Sequence, residues 1–246
     1  MKHFLIASIL LFSTALFQAQ TTLIPDTNFE QALIDLGLDN ILDGGVLTAS
    51  ISGVTDLYVD GQNISDLTGI DDFTALTVLF CNNNQLTSLD VAQNTALEFL
   101  QCADNQLTSL DVSQNTALEF LHCFYNQLTS INVAQNTALT RLDCSGNTLT
   151  SLDISQNTAL TGLWCGNNQL SSLDVAQNTA LSDLSCDDNQ LTSFNVTQNA
   201  ALTSLICENN QLTSLDVAQN IALELFNCSN NGLTSLDVSQ NTALAF

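Results

Sequence analysis

A cysteine recurs every 21 residues from Cys81 to Cys228, and the 246-residue sequence contains no other cysteine. A strict period between about 20 and 50 residues indicates a solenoid, in which each repeat forms one coil. A single coil cannot bury its own apolar side chains, so stability has to come from the stacking of neighbouring coils. Equivalent residues of successive repeats are called a file here, and the cysteine file consists of Cys81, Cys102, Cys123, Cys144, Cys165, Cys186, Cys207 and Cys228.

Each 21-residue unit contains one pattern twice, offset by ten residues. The first unit reads Leu76-x-x-Leu79-x-Cys81-x-x-Asn84 and then Leu86-x-x-Leu89-x-Val91-x-x-Asn94. The alternation around Cys81 and around Val91 predicts two short strands per coil, with the apolar side chains inward. Too few residues separate these strands for a helix. The predicted fold class is therefore a mostly β solenoid with two parallel β ladders.

The LxxLxLxxN spacing of these units resembles that of bacterial leucine-rich-repeat proteins, with Cys where that family more often has Leu or Ile. The nested half-repeat is typical of the short-repeat subtype. A preceding 22-residue coil, 54–75, resembles repeats of the internalin type. The resemblance implies a right-handed coil, an exported protein of the kind found in Bacteroidetes, and ligand surfaces on the first of the two ladders.

The sequence divides into four segments. Residues 1–20 read as a signal peptide, with Lys2 before an apolar run too short for a membrane span. Residues 21–53 are predicted to form an N-terminal cap, with a helix over 27–36 started by a Thr27/Glu30 capping box. Residues 54–75 are the first repeat. Residues 76–246 hold eight 21-residue repeats and the start of a ninth, so we expect a longer natural product.

The linker after the cap helix weakly resembles a calcium-binding loop. Asp39, Asp43 and Gly44 have the appropriate spacing, but Ile41 and Ser50 replace two oxygen ligands. A tight Asp-Gly turn that joins the helix to the solenoid is the favoured interpretation.

Charge restricts the partners. Without the signal peptide, one basic residue, Arg141, faces 25 acidic residues. Such a chain repels phosphate backbones and anionic membrane surfaces, so nucleic acid is excluded as a partner. No second long apolar run follows the signal peptide, so no membrane span is expected. Cationic partners are favoured electrostatically, and weak Ca²⁺ binding is consistent with the same charge.

Three files of side chains are predicted to be structural. The cysteines are interpreted as buried free thiols that fill space, with disulfides or a metal site as alternatives. The asparagines should turn inward and bond backbone groups at the bends. They form one file of Asn84, Asn105, Asn126, Asn147, Asn168, Asn189, Asn210 and Asn231, and another of Asn94, Asn115, Asn136, Asn157, Asn178, Asn199, Asn220 and Asn241.

A fourth file is acidic and lies beside Val91 and its equivalents. It holds Asp90, Asp111, Asp153, Asp174, Asp216 and Asp237, with Asn132 and Asn195 as interruptions. Adjacent carboxylates about 5 Å apart repel one another. A solvated face with Asn relieving the repulsion is favoured, and weak divalent-cation binding between paired carboxylates is the alternative. Ice binding is disfavoured by the closely spaced charges.

The repeats differ from one another mainly in the first half of each unit, on the side that strand alternation points outward. These variable positions carry an aromatic cluster, the only histidine outside the signal peptide and Arg141. An exposed aromatic cluster commonly marks an interaction surface. The candidate ligand-binding residues are Phe80, Phe99, Phe120, His122, Phe124, Tyr125, Arg141 and Trp164.

Catalytic groups are scarce, since the mature segment has no lysine, one histidine and no cysteine outside the predicted core. No pair of carboxylates is singled out for acid–base chemistry. The sequence therefore predicts a non-catalytic, secreted or cell-surface repeat module without a cofactor, which mediates protein–protein interaction or adhesion. The alternatives are a carbohydrate-binding surface module and a structural stalk with weak cation binding on the Asp file.

Overall fold

A computed structural model describes residues 19–244 of the chain. The signal peptide predicted for residues 1–20 lies almost entirely outside this range, as do the last two residues. The described residues form a parallel β-solenoid with few helices, which confirms the predicted fold class. Neither of its two helices has the length or the apolar content that a transmembrane segment requires.

The solenoid contains one nine-stranded parallel sheet, with its strands side by side in chain order. Each strand has three residues, and its central residue points into the core (Phe226 of the last strand being half-buried). The strand register does not shift from coil to coil, so Leu79 pairs with Leu100 and Leu100 pairs with Leu121. The strands are β3 (Asp56–Tyr58), β4 (Val78–Phe80), β5 (Phe99–Gln101), β6 (Phe120–His122), β7 (Arg141–Asp143), β8 (Gly162–Trp164), β9 (Asp183–Ser185), β10 (Ser204–Ile206) and β11 (Leu225–Asn227).

The second ladder that the sequence predicted is not a sheet. Within residues 19–244 it is reduced to two isolated bridges, which join Asp90 to Asp111 and Asp111 to Asn132. The inward side chains around Val91 are still buried as predicted. The reason is that backbone groups here are occupied by side chains, as described below, and are not free for a continuous ladder.

The N-terminal cap starts with β1 (Thr21–Leu23), which pairs antiparallel with β2 (Gly45–Leu47). Between them lies α1 (Thr27–Asp35), and α2 (Thr48–Ile51) follows β2. Phe29 and Leu33 of α1 are fully buried, and the Phe29 ring packs on Phe73 of the first repeat at 6.3 Å between centroids. The cap therefore covers the open end of the first coil. A 3-10 turn at Ile70–Asp72 closes that coil.

The capping box predicted for α1 is wrong. The N-cap is Asp26, whose Oδ1 accepts hydrogen bonds from the amides of Asn28 and Phe29 at 2.9 and 3.0 Å. Its Oδ2 accepts from the Ser65 amide and hydroxyl, which ties the helix to the first repeat. Burial alone would raise the pKa of Asp26, but these hydrogen bonds outweigh burial and lower it.

Glu30 has another task. Its buried Oε1 accepts from the amides of Asp43, Gly44 and Gly45 at 2.8, 2.6 and 3.1 Å. These are the backbone groups of the loop that resembles a calcium site. The loop is thus held by a carboxylate from the helix, as a tight Asp-Gly turn.

Candidate ligand-binding face

The cysteine file lies inside the sheet half of each coil. Seven thiols are buried, Cys228 is half-buried, and all eight are free. Cys81 donates its S–H to the Gln101 carbonyl at 3.4 Å. Burial raises the pKa of the thiols, to about 12 for Cys207, so thiolate is scarce at neutral pH. The thiols therefore act as small apolar side chains and contribute no nucleophile.

The first asparagine file is saturated with hydrogen bonds. Asn168 is typical: its Oδ1 accepts from the Leu149 amide at 2.9 Å. Its Nδ2 donates to the carbonyls of Cys144 and Cys165 at 3.1 Å and of Gly166 at 3.2 Å. One side chain thereby bonds backbone groups of two successive coils.

The second asparagine file is only half-saturated. Nδ2 of Asn178 donates to the carbonyls of Ile154 and Asn157 at 3.1 and 2.9 Å. Its Oδ1 is buried without a hydrogen-bond partner within the described structure, and the same holds for the other seven members of this file. Both files are nearly or fully buried, apart from Asn231 in the last coil.

The acidic file forms turns. Asp174 Oδ1 accepts from the Ala176 amide at 2.9 Å, and each Asp of the file makes the same bond two residues on. Asn132 and Asn195 make it as well. Asp and Asn are interchangeable here because only one acceptor oxygen is used. The described residues contain no group of three or more His, Cys, Asp or Glu side chains suited to a metal ion.

The variable residues lie on the strand face, defined here as the outward side chains of β3–β11 and of the residues that follow each strand. Phe99 and Phe120 stack at 4.7 Å between centroids, and the Arg141 guanidinium lies 5.5 Å from the Phe120 centroid. This trio forms one continuous row across three coils. Stacking and the cation–π contact each favour a fixed arrangement of side chains.

A second aromatic group lies beside this row, at the end of β6 and in the residues that follow it. The rings of His122 and Phe124 are 6.3 Å apart, and those of Phe124 and Tyr125 are 5.6 Å apart. Burial lowers the pKa of His122, with Arg141 adding to the effect and Asp143 opposing it. His122 is therefore neutral at pH 7.

Phe80 is separate from both groups. Its ring packs edge-on against Tyr58 of β3 at 5.2 Å. Tyr58 is 53% exposed and belongs to the same face, but it lies in the 22-residue first repeat, so a comparison of the 21-residue units does not identify it. The Leu57-x-Val59 alternation of the first repeat was the signal that could have identified it.

Tyr125 has an unusual backbone. One residue in each coil adopts a left-handed conformation just before the first asparagine file, and the others are Asn, Asp or Gly. Tyr125 has φ 49° and is 58% exposed. A bulky side chain costs about 1–2 kcal/mol in this region. Strain of this kind is commonly retained where a side chain serves a function.

Three glycines make room for large side chains around Trp164. A Cβ on Gly146 would overlap the Tyr125 ring, and a Cβ on Gly162 would overlap the Trp164 ring. A Cβ on Gly166 would meet the carboxylate of Asp187. The units between residues 76 and 244 contain only one further glycine, Gly232. The small residues are therefore concentrated in two adjacent coils at one place on the strand face.

Trp164 forms a ridge between two depressions. One, of about 190 Å³, lies between Tyr125 and Trp164 over Gly146 and Gly166. It contains two carboxylates, Asp143 and Asp187, each hydrogen-bonded to a serine hydroxyl, of Ser145 and Ser185 respectively. The other depression, of about 160 Å³, is bordered by Arg141 and Asp183.

Comparisons with known proteins point to one family. A family model for leucine-rich repeats, in two copies, matches residues 137–178. The functional domain of InlJ from Listeria monocytogenes, described as including a cysteine ladder, superposes with a TM-score of 0.88 at 40% identity. The match covers 94% of this chain and 52% of that one. The chain is a leucine-rich-repeat protein with internalin-like relatives.

Two further relatives agree with this assignment. Internalin J of Listeria monocytogenes is 42% identical over 71 residues, which is 29% of this chain and 8% of the relative. The internalin InlF from the same species shares the fold at 21% identity, with a TM-score of 0.74 over 90% of this chain and 74% of its own. This leucine-rich-repeat chain thus spans about half of the InlJ structure and a small part of internalin J. These matches indicate no catalytic family.

Proposed function

We propose that this leucine-rich-repeat protein is a non-catalytic interaction module that binds a protein partner through the strand face, mainly over residues 78–164. The observation that carries the proposal is the aromatic surface from Phe99 to Trp164 on a rigid sheet. Trp, Tyr and Arg are the residue types that most often dominate binding energy at interfaces. The similarity of this chain to internalins supports a protein partner by analogy.

The geometry supports this surface in a second way. Phe99, Phe120 and Arg141 are already stacked in the free chain, so little side-chain entropy would be lost when a partner covers them. The sheet beneath fixes their spacing across three coils. Preorganised aromatic rows of this kind favour tight binding for a given contact area.

A carbohydrate partner is the second candidate. Trp164 and Tyr125 flank a depression that also holds carboxylates and serine hydroxyls, and such a combination can stack on and hydrogen-bond a sugar ring. The third candidate, a structural stalk, would need no ligand on this face.

We also propose that the protein is exported to the cell surface or the medium. The signal-like residues 1–20 and the internalin-like relatives support export. Cell fractionation followed by mass spectrometry of the mature N-terminus tests it. A cytoplasmic protein that retains Met1 or Lys2 would contradict it.

The experiment for the main proposal uses immobilised purified chain, screened in parallel against surface-protein extracts and a glycan array. A double variant, Phe99→Ala with Phe120→Ala, removes both stacked rings, of which Phe120 also contacts Arg141. We expect at least a ten-fold loss of affinity for the captured protein, as for interface hot spots.

The matched control is Thr129→Ala with Ser151→Ala, which alters exposed residues in the other half of two coils. It should bind within two-fold of the parent. Equal binding by both double variants would remove the strand face from the interaction. Binding to glycans alone would favour the second candidate, and no ligand in either screen would favour the stalk.

A further inference from the structure

The depression between Tyr125 and Trp164 combines aromatic walls with negative charge. We propose that it is a binding site for an arginine side chain presented by the protein partner. The inference rests on the proposed function and adds the chemistry by which the partner is recognised. It concerns one place on the strand face, apart from the Phe99/Phe120 row.

The shape of the site comes from the glycines described above. Gly146 and Gly166 leave room for the Tyr125 ring and the Asp187 carboxylate, which line the depression together with Trp164. Residue 125 is a tyrosine although its backbone is left-handed, a conformation that Asn, Asp or Gly adopts in all the remaining coils. A volume of about 190 Å³ is suited to one side chain and too small for a folded element.

The charge comes from Asp143 and Asp187, on the coils before and after that of Trp164. The Asp187 carboxylate leans across Gly166 toward the floor of the depression. The two carboxylates therefore flank the same space from opposite sides. Arg141, the only basic residue outside the signal peptide, borders the other depression and leaves this one anionic.

Arginine matches this combination better than other side chains. Its planar guanidinium stacks on aromatic rings and donates hydrogen bonds in its plane to carboxylates. Lysine would satisfy the charge, but its ammonium group has no plane that can stack on an aromatic ring. The strong negative charge of the whole chain would also attract a basic segment over a distance.

Trp164 provides a local probe, because it is the only tryptophan in the chain. The experiment titrates the full chain with a hexa-arginine peptide at about 0.15 M salt, where long-range attraction is screened, and follows Trp164 fluorescence. We expect a saturable change in emission. A hexa-serine peptide and neutral oligosaccharides should leave the emission unchanged.

The double variant Asp143→Asn with Asp187→Asn should bind the hexa-arginine peptide at least ten-fold more weakly, since a charge-assisted hydrogen bond is lost at each site. This variant should fold, because the repeats already contain Asn at both positions. Asn227, equivalent to Asp143, makes the same bonds to Ser229, and Asn82 is equivalent to Asp187. Circular dichroism and the melting temperature check the fold.

The matched control, Asp174→Asn with Asp216→Asn, removes the same charge from the acidic file. It should change the affinity by less than two-fold. Equal weakening by both variants, or no change in Trp164 emission, would overturn the inference, as would an oligosaccharide that binds independently of both carboxylates. Since the Phe99/Phe120 variant tests the face as a whole, the proposed function could survive such a result.

Discussion

The two halves of each coil satisfy the hydrogen-bonding groups of their backbone in different ways. In the first half, strands pair with strands, so amide and carbonyl groups bond to one another from coil to coil. The second half comprises residues 86–97 and their equivalents, and most of its hydrogen bonds join a side chain to the backbone. Asp174 bonds the Ala176 amide, and Asn178 bonds the carbonyls of Ile154 and Asn157.

This difference explains which residues vary. A strand makes its hydrogen bonds through the backbone, whatever its outward side chains are, so the strand face is free to carry Phe, Arg, Gly or Trp. A turn held by an Asp or Asn side chain loses its bond if that residue changes. The nearly invariant Leu-Thr-Ser-Leu-Asp-Val half is therefore constrained by structure, and the variable half is available for binding.

The asparagine files allow the sharpest test of this comparison and give the largest expected effect. Asn168→Leu, in the first half, leaves the buried Leu149 amide without its acceptor and removes three donated bonds. We expect a loss of about 2–3 kcal/mol in unfolding free energy. For a chain of this size this lowers the melting temperature by roughly 5–10 °C, which differential scanning calorimetry can measure.

The matched substitution is Asn178→Leu, in the second half. It removes two donated bonds, but it also removes a buried Oδ1 that has no partner in the described structure. The two effects partly cancel, so we expect a loss of about 1 kcal/mol or less. A larger loss at Asn178 than at Asn168 would show that the comparison between the files is wrong.

The acidic file gives an intermediate effect. Asp174→Ala removes the acceptor for the Ala176 amide and should cost about 0.5–1 kcal/mol. Asp174→Asn keeps an acceptor in the same place and should stay within about 0.5 kcal/mol of the parent. Urea unfolding of the two variants compares them. A destabilising Asn variant would mean that the carboxylate charge, and not the turn, is required here.

Periodicity was sufficient to predict the coil, the sheet and the buried files, because inward positions repeat every 21 residues. It was not sufficient for the second ladder. Alternation around Val91 predicts which side chains are buried, but it does not reveal that Asp90 and Asn94 occupy the backbone with side-chain bonds. The same limitation affected the cap, where Asp26 and Glu30 bond to segments distant in sequence.

The candidate site was predicted in part. Outward alternation was enough to select Phe120, Arg141 and Trp164, which the structure places on one face. The depression beside Trp164 depends on residues that were not singled out: a glycine carries no side chain to suggest a role. That Gly146 and Gly166 make room for Tyr125 and Asp187 becomes visible only when adjacent coils are stacked.

The smallest effect concerns His122, the only histidine outside the predicted signal peptide. Burial lowers its pKa in the folded chain, so below about pH 6.5 the unfolded chain takes up a proton more readily than the folded one. Stability should therefore fall as the pH drops from 7 to 5.5. His122→Gln should remove this component and leave a flatter profile. We expect the two melting temperatures to diverge by only about 1–2 °C over this range, because the ring is part-exposed at the edge of the strand face. Parallel profiles for parent and variant would mean that His122 takes up its proton equally well in the folded chain, and that the face around Phe124 is better hydrated than its packing indicates.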